Sequence, residues 1–249
     1  MIIDNPQPVH IPALRRIWQE AFGDTDKFLD DFFLTAFAYD RCWCVFQEQE
    51  PVAAVYLFDC GWQGKKVAYL YALAVDKSRR KQGLSRLLLT DVHAKLRQAG
   101  YVGALMEPAT ESLKQYYESL GYKPFGGRKT VLYAAQAPAV EFTELAELSY
   151  GMKRNQLLPA GGITQEGPFV SLLQTQAHCY AGQGFVAAVS REAPLVLEFL
   201  GDQSKISGLL HALGLDKAEV RVPGGLPSTV YYDFAGCEQL PSYFGLPMD

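Results

Sequence analysis

Tyr69-Leu-Tyr-Ala-Leu-Ala-Val75-Asp-Lys-Ser-Arg-Arg80-Lys-Gln-Gly83-Leu-Ser85-Arg-Leu-Leu-Leu89 is the stretch that decides the fold. Its apolar opening predicts a strand over Val67–Val75. A basic turn containing Gly83 follows, and residues 84–99 predict a helix with Leu84, Leu87, Leu88, Val92 and Leu96 on one face. Gly100 suits the residue after such a helix. A strand, a basic turn and a helix N-terminus together make an anion site. The first N–H groups of a helix lack internal partners, and the helix dipole favours negative charge there. Successive inward N–H groups form a nest for a phosphate. Gly83 allows close backbone approach, and Lys77, Arg79, Arg80, Lys81 and Arg86 supply positive charge.

Upstream, Leu14, Ile17, Trp18, Ala21 and Phe22 recur at helical spacing behind Pro12, and Gly23-Asp24 ends that helix. A second helix is expected through Phe28, Leu29, Phe32, Phe33 and Phe37. Strands are expected at Cys42–Gln47 and Val52–Asp59, with hairpin turns at Glu48–Pro51 and Trp62–Lys66. Downstream come a strand at Val102–Met106, a helix at Glu111–Leu120 ended by Gly121, and a strand at Thr130–Ala135. The order αα-βββ-α-β-α-β predicts a three-layer α/β fold. Ala137-Pro-Ala-Val140 reads as a linker, and Leu158–Pro168 as a Gly- and Pro-rich loop. Beyond it, strands at Gly184–Ser190 and Pro194–Leu200, a helix at Ile206–Leu213, and strands at Ala218–Val222 and Thr229–Phe234 give ββ-α-β-β. That order matches residues 52–135 less one helix. The expectation is two domains, 1–136 and 137–249, the second a smaller, degenerate copy. Gly201-Asp-Gln-Ser-Lys205 stands where the basic turn would be and holds a single lysine, so the copy is expected to lack that anion site.

Arg80-Lys-Gln-Gly83-Leu-Ser85 resembles the Arg/Gln-x-x-Gly-x-Gly/Ala signature of the GNAT acetyltransferase superfamily, with the small Ser85 departing from the last Gly/Ala. Tyr116-Tyr117-Glu-Ser-Leu120-Gly121-Tyr122 is similar to that family's Leu-Tyr-x-x-x-Gly-Phe motif, and Tyr117 stands 34 positions after Gly83, a distance that fits the family. The resemblance spans roughly residues 1–135. It implies a GNAT fold and an acyl-CoA-dependent N-acyltransferase that moves an acetyl group from acetyl-CoA to a primary amine of a small molecule or peptide. It further implies that the loop Arg80, Lys81, Gln82, Gly83, Leu84, Ser85 and Arg86 binds the cofactor pyrophosphate. The backbone of Leu73, Ala74 and Val75 would pair with the pantetheine arm like an added strand. The family often has Asn seven residues before its tyrosine; here that position is Thr110.

Acyl transfer needs an amine that loses a proton, donors for a tetrahedral intermediate, and a proton for the leaving thiolate. Tyr117 is the expected donor to sulfur, because a phenol with a pKa near ~10 is an acid rather than a base at neutral pH. Glu107, ending the Val102–Met106 strand, is the nearest candidate base, acting through a water. No Asp or Glu lies on Val67–Val75. The competing class is therefore a non-catalytic acyl-CoA-binding or protein-interaction module. Phe28, Phe32, Phe33, Phe37, Tyr39, Trp43, Tyr56, Tyr69 and Tyr71 are expected to be mostly core, some lining an apolar acceptor pocket.

Other classes find no support. Net charge is −4, and its distribution is uneven: residues 1–138 hold 17 Lys/Arg against 15 Asp/Glu, residues 139–249 hold 6 against 12. Neither half has the basic excess of a nucleic-acid binder. No apolar run approaches the roughly 18–20 residues of a membrane span. The start, Met1-Ile-Ile-Asp4, is unlike a signal peptide, so a cytoplasmic monomer or homodimer is expected. Cys42, Cys44, Cys60, Cys179 and Cys237 are scattered, and Cys42-Trp-Cys44 lacks metal or redox spacing, so plain thiols are expected. His10, His93, His178 and His211 suggest no metal site, and no Walker-type glycine-rich loop occurs.

Overall fold

The computed structural model describes residues 1–236 and 239–246; Cys237, expected as a thiol, lies outside them. The first half runs β1 (Ile2–Asp4), α1 (Ile11–Phe22), α2 (Asp26–Thr35), β2 (Cys42–Gln47), β3 (Glu50–Trp62), β4 (Lys65–Val75), α3 (Leu84–Gln98), β5 (Gly103–Met106), α4 (Glu111–Ser119), β6 (Lys123–Phe125) and β7 (Arg128–Ala134). The second runs β8 (Phe142–Glu144), α5 (Glu147–Leu157), β9 (Thr164–Gln165), α6 (Pro168–Gln176), β10 (Ala177–Gly182), β11 (Phe185–Ser190), β12 (Leu195–Gly201), α7 (Ile206–Ala212), β13 (Lys217–Pro223) and β14 (Thr229–Asp233).

Local chemistry sets the elements. Gly23, with φ 75°, stops α1, and the Thr25 hydroxyl caps α2 by accepting from Phe28 N. The hairpins β2–β3 and β3–β4 turn on Glu48-Gln49 and Gln63-Gly64, all four residues at positive φ. Two-residue turns of that hand match strand twist. β3 is longer than the expected Val52–Asp59 because Glu50 and Pro51 pair with β2 at one end, and Cys60 to Trp62 pair with β4 at the other. On α3, Leu84, Leu88, Leu89, Val92 and Leu96 are buried, whereas Leu87, expected in the core, is 42% exposed. Leu89, two residues on, is buried instead.

Two sheets result. The first has the order β1-β2-β3-β4-β5-β14-β6, and the second β7-β13-β12-β11-β10-β8. Side chains of alternating sign along β3 pack on opposite faces of the first sheet. Val55 and Leu57 join α3 and α4, while Tyr56 and Phe58 join α1 and α2. Residues of the second half complete the latter core: Phe169 lies 5.2 Å from Phe58, and Phe244 lies 4.6 Å from Tyr69, between ring centres. A buried polar cluster fixes that packing. Arg154 donates through Nε and Nη2 to Glu198 at 2.7 and 2.9 Å, and through Nη2 to the carbonyl of Phe244 at 2.8 Å.

The element order repeats. A strand, two helices, three antiparallel strands, a helix and a parallel strand run from β1 to β5 and again from β8 to β13, with β9 added between α5 and α6. The last strand of each half, β7 or β14, sits in the other half's sheet. β7 pairs with β13, and β14 lies between β5 and β6. The boundary expected at 136/137 thus cuts between β7 and β8, two strands of one sheet. The expected Leu158–Pro168 loop contains β9 and leads into α6 at Pro168. The short strands β1, β6, β8 and β9, and also α5, α6 and β10, had no expectation attached. Among the described residues, no helix is long and apolar enough to cross a membrane.

Candidate active site

β4 and β5 pair in parallel only over Val67–Tyr69 with Gly103–Leu105. Beyond Tyr69, β4 stays on β3 while β5 diverges, and the first sheet splits open. At the split, β4 carries a bulge. The register with β3 shifts between Ala54 and Tyr56, and Ala72 takes φ 48°. A non-glycine residue in that region is uncommon, and bulges of this kind re-aim the backbone beside functional clefts. The cleft has a volume of about 360 Å³. Ala72 and Leu73 form its floor, Met106, Glu107 and Tyr117 one wall, and Trp18, Asp24 and Phe28 the other.

Asp76 organises the basic turn that follows β4. Its carboxylate accepts from Ser78 N at 2.9 Å, from Ser78 Oγ at 2.6 Å and from Arg16 Nη1 at 2.7 Å. The Ser78 hydroxyl first, and the Arg16 guanidinium after it, hold the Asp76 carboxyl at about 2 against the opposing effect of burial. Arg80 Nε donates to the Val75 carbonyl at 3.2 Å. Lys81 and Gly83 both have positive φ, 65° and 75°. A Cβ at Gly83 would meet open space, so it is conformation and approach from outside, not internal packing, that favour glycine. Among the described residues, none of Lys77, Arg79, Arg80, Lys81 and Arg86 pairs with a carboxylate. Among the described residues the turn and the start of α3 thus hold five cations without a carboxylate partner, beside the N-terminal N–H groups of α3.

α4 brings two tyrosines to this place. Tyr117 is 6% exposed and lines the cleft; burial first, and Tyr116 second, push its phenol well above the ordinary tyrosine value. Tyr116 points elsewhere, sharing a 2.8 Å hydrogen bond with the Ser85 hydroxyl at the start of α3. Thr110 caps α4, accepting from Leu113 N at 3.2 Å. Glu107, which resembles a surface residue in the sequence, has a side chain only 6% exposed. It is ion-paired with Arg128 at 3.3 Å and accepts from the Thr229 hydroxyl at 2.6 Å. Arg128 and Thr229 begin β7 and β14, so Glu107 ties the cleft wall to both exchanged strands. The structure brings Leu73, Tyr117 and Glu107 into one cleft, with the turn 80–86 following the end of β4.

Sequence reasoning missed Arg16, Asp24 and Asp76. Asp76-Lys-Ser78 carries a readable signal, an acidic side chain two residues before a serine as in an Asx turn. Arg16 and Asp24 carry none, since their partners and surroundings are distant in sequence. A hollow of about 840 Å³ also lies along β8, with Lys205 the one cation of its lining. It has no basic turn and no helix N-terminus of useful length.

Residues 11–122 match the model of the Acetyltransferase (GNAT) family. They form a GNAT acetyltransferase domain. The whole chain is similar to a GCN5-related N-acetyltransferase from Kribbella flavida, with a TM-score of 0.72 and 16% identity over 94% of this chain and 71% of that one. It is also similar to a putative acetyltransferase from Pyrococcus horikoshii, TM-score 0.62 and 13% identity over 98% and 93% of the two chains. A GCN5-related N-acetyltransferase from Sphaerobacter thermophilus gives 0.56 and 14% over 97% and 98%. At these identities the likeness is one of fold, and it extends over both sheets. A comparison with curated protein sequences finds no match.

Proposed function

We propose that the chain transfers an acetyl group from acetyl-CoA to the primary amine of a small molecule or peptide. The observation that carries this reading is the unneutralised basic turn at the N-terminus of α3, placed where β4 leaves β5 and opens the cleft containing Tyr117. In this reading the N–H groups and cations of Arg80 to Arg86 hold the pyrophosphate. The pantetheine arm takes the place that β5 has vacated and pairs with the backbone of Leu73, Ala74 and Val75. Thr110 contributes through the helix end it caps. The amine attacks the thioester carbon, the bulge at Ala72 offers backbone to the oxyanion, and the C–S bond breaks as Tyr117 gives its proton to the thiolate. Glu107 receives the amine proton through a water.

The test is release of free thiol from acetyl-CoA across a panel of amines, run beside Gly83→Glu. Wild type is expected to release thiol in an amine-dependent way. The variant is expected to lose acetyl-CoA binding in calorimetry while folding, because its side chain fills the open approach with like charge. Forcing a non-glycine residue to positive φ should cost only about 1–2 kcal/mol of stability. Retained affinity in the folded variant would move the phosphate elsewhere.

A further inference from the structure

Of the two carboxylates that line the cleft, Glu107 is engaged by Arg128 and Thr229, whereas Asp24 faces no cation. Asp24 follows the glycine that ends α1. Its Oδ2 accepts from Trp18 Nε1 at 2.7 Å, and among the described residues no lysine or arginine pairs with it. The indole N–H fixes the carboxylate while leaving Oδ1 without a partner among the described residues. Around it stand aromatic faces. Trp18 lies 5.9 Å from Phe22, 6.3 Å from Phe28 and 5.6 Å from Tyr71, centre to centre, and all four rings line the cleft. A fixed negative charge beside aromatic faces is a site for an organic cation. The carboxylate takes the charge, and the ring quadrupoles favour it as well.

Resting on the acetyl-transfer reading, we propose that Asp24 selects the acceptor: a cationic arylalkylamine, its ammonium on Asp24 and its ring among Trp18, Phe22, Phe28 and Tyr71. Within the cleft a polyamine fits less well, because no second carboxylate free of a cation lines it; a further charge would have to reach Glu192 in the adjoining cavity, and comparison with spermidine decides between the two classes. Room for the body exists. Asp24 and Phe28 also line an adjoining cavity of about 330 Å³, whose far side is Gln176, Ser190, Glu192, Leu195 and Leu197 of the second half. The second half thereby contributes to the acceptor path, in addition to covering the core.

Two probes separate charge from shape: 2-phenylethylamine, protonated at pH 7, and its uncharged near-isostere 2-phenylethanol. Binding is read by tryptophan fluorescence and calorimetry, without turnover. A hydrogen bond to a charged group predicts that wild type binds the ammonium about tenfold or more tightly than the alcohol. Asp24→Asn keeps an acceptor for the indole and is expected to bind both alike. Glu107→Gln is expected to keep the preference. Equal binding of the two probes by wild type, a preference surviving in Asp24→Asn, or one that vanishes only in Glu107→Gln would overturn the proposal. The wild-type comparison decides it even if the variants fail to fold. In thiol-release assays 2-phenylethylamine should exceed spermidine and an alanyl peptide in kcat/KM, and the reverse order overturns the assigned class. Ammonium selectivity at Asp24 with no thiol release from any amine would overturn acetyl transfer and leave the cation site standing.

Discussion

At Tyr117 and its neighbour, one residue decides which cavity a side chain meets. Tyr117 lies in the cleft, while Tyr116 holds Ser85 across the gap between α4 and α3. If Tyr117 protonates the leaving thiolate, Tyr117→Phe should lower kcat by about 10²–10⁴-fold in single-turnover assays, the usual scale of general acid catalysis. The Kd for acetyl-CoA should hardly move, because the interaction is made mainly in the transition state. Tyr116→Phe should do the opposite, loosening the turn and weakening cofactor binding with kcat retained. Silence of Tyr117→Phe would remove the acid role. Burial raises the Tyr117 pKa, so the phenol stays protonated through the region where an ordinary tyrosine ionises, near ~10. Any alkaline loss of kcat below that region must come from another group. These two tyrosines and Gly83 were legible because their chemistry is local: a motif, a helix end, a spacing. Asp24 was not legible, since its surroundings come from α1, α2, β4 and α4 together.

Along α3 the same contrast holds between elements. Its strand-turn-helix context can be read from periodicity and from Gly100, yet its inner face is set by what it packs on. His93 is 7% exposed, shares a 2.7 Å hydrogen bond between Nε2 and Tyr122 Oη, and lies 4.4 Å from the Tyr232 ring of β14. Burial first, and the nearby Arg97 charge second, lower its pKa to about 4. The unfolded chain, with histidine near ~6.5, therefore binds a proton that the folded chain excludes. Stability from this source is complete above that value and falls as pH drops toward 4, by about 3 kcal/mol in all. His93→Gln retains a partner for Tyr122 without the charge. Urea melts at pH 7 and pH 4 should show a smaller loss for the variant than for wild type, and equal losses would mean that the ring is hydrated when protonated. No periodicity in α3 announces this, because the contacts that bury His93 arrive from Tyr122 and Tyr232.

For the molecule as a whole, partner choice between strands is the least legible property. Thr229–Phe234 reads as a strand in either half, and nothing in its alternation says that it belongs between β5 and β6. The reason it fits there is visible only in place. Gly103 of β5 has no side chain, and the Tyr231 ring of β14 fills that space so closely that a Cβ would collide with its hydroxyl. β6 pairs with β14 alone, so without β14 both β5 and β6 lose a partner. The face of the first sheet carrying Phe58 and Tyr69 would lose Phe169 and Phe244 as well. A fragment of residues 1–136 keeps the whole cofactor motif but leaves β5 and β6 without β14, β7 without β13, and an aromatic surface uncovered, a combination that favours aggregation over folding. It should show far-UV helical signal, weak near-UV dichroism, dye binding and no cooperative melt. Addition of a separate 137–249 chain should restore cooperativity, because the exchanged strands can then pair between chains as they do within one. A cooperative transition in residues 1–136 alone would show that the exchange is dispensable and that the halves fold as separate units.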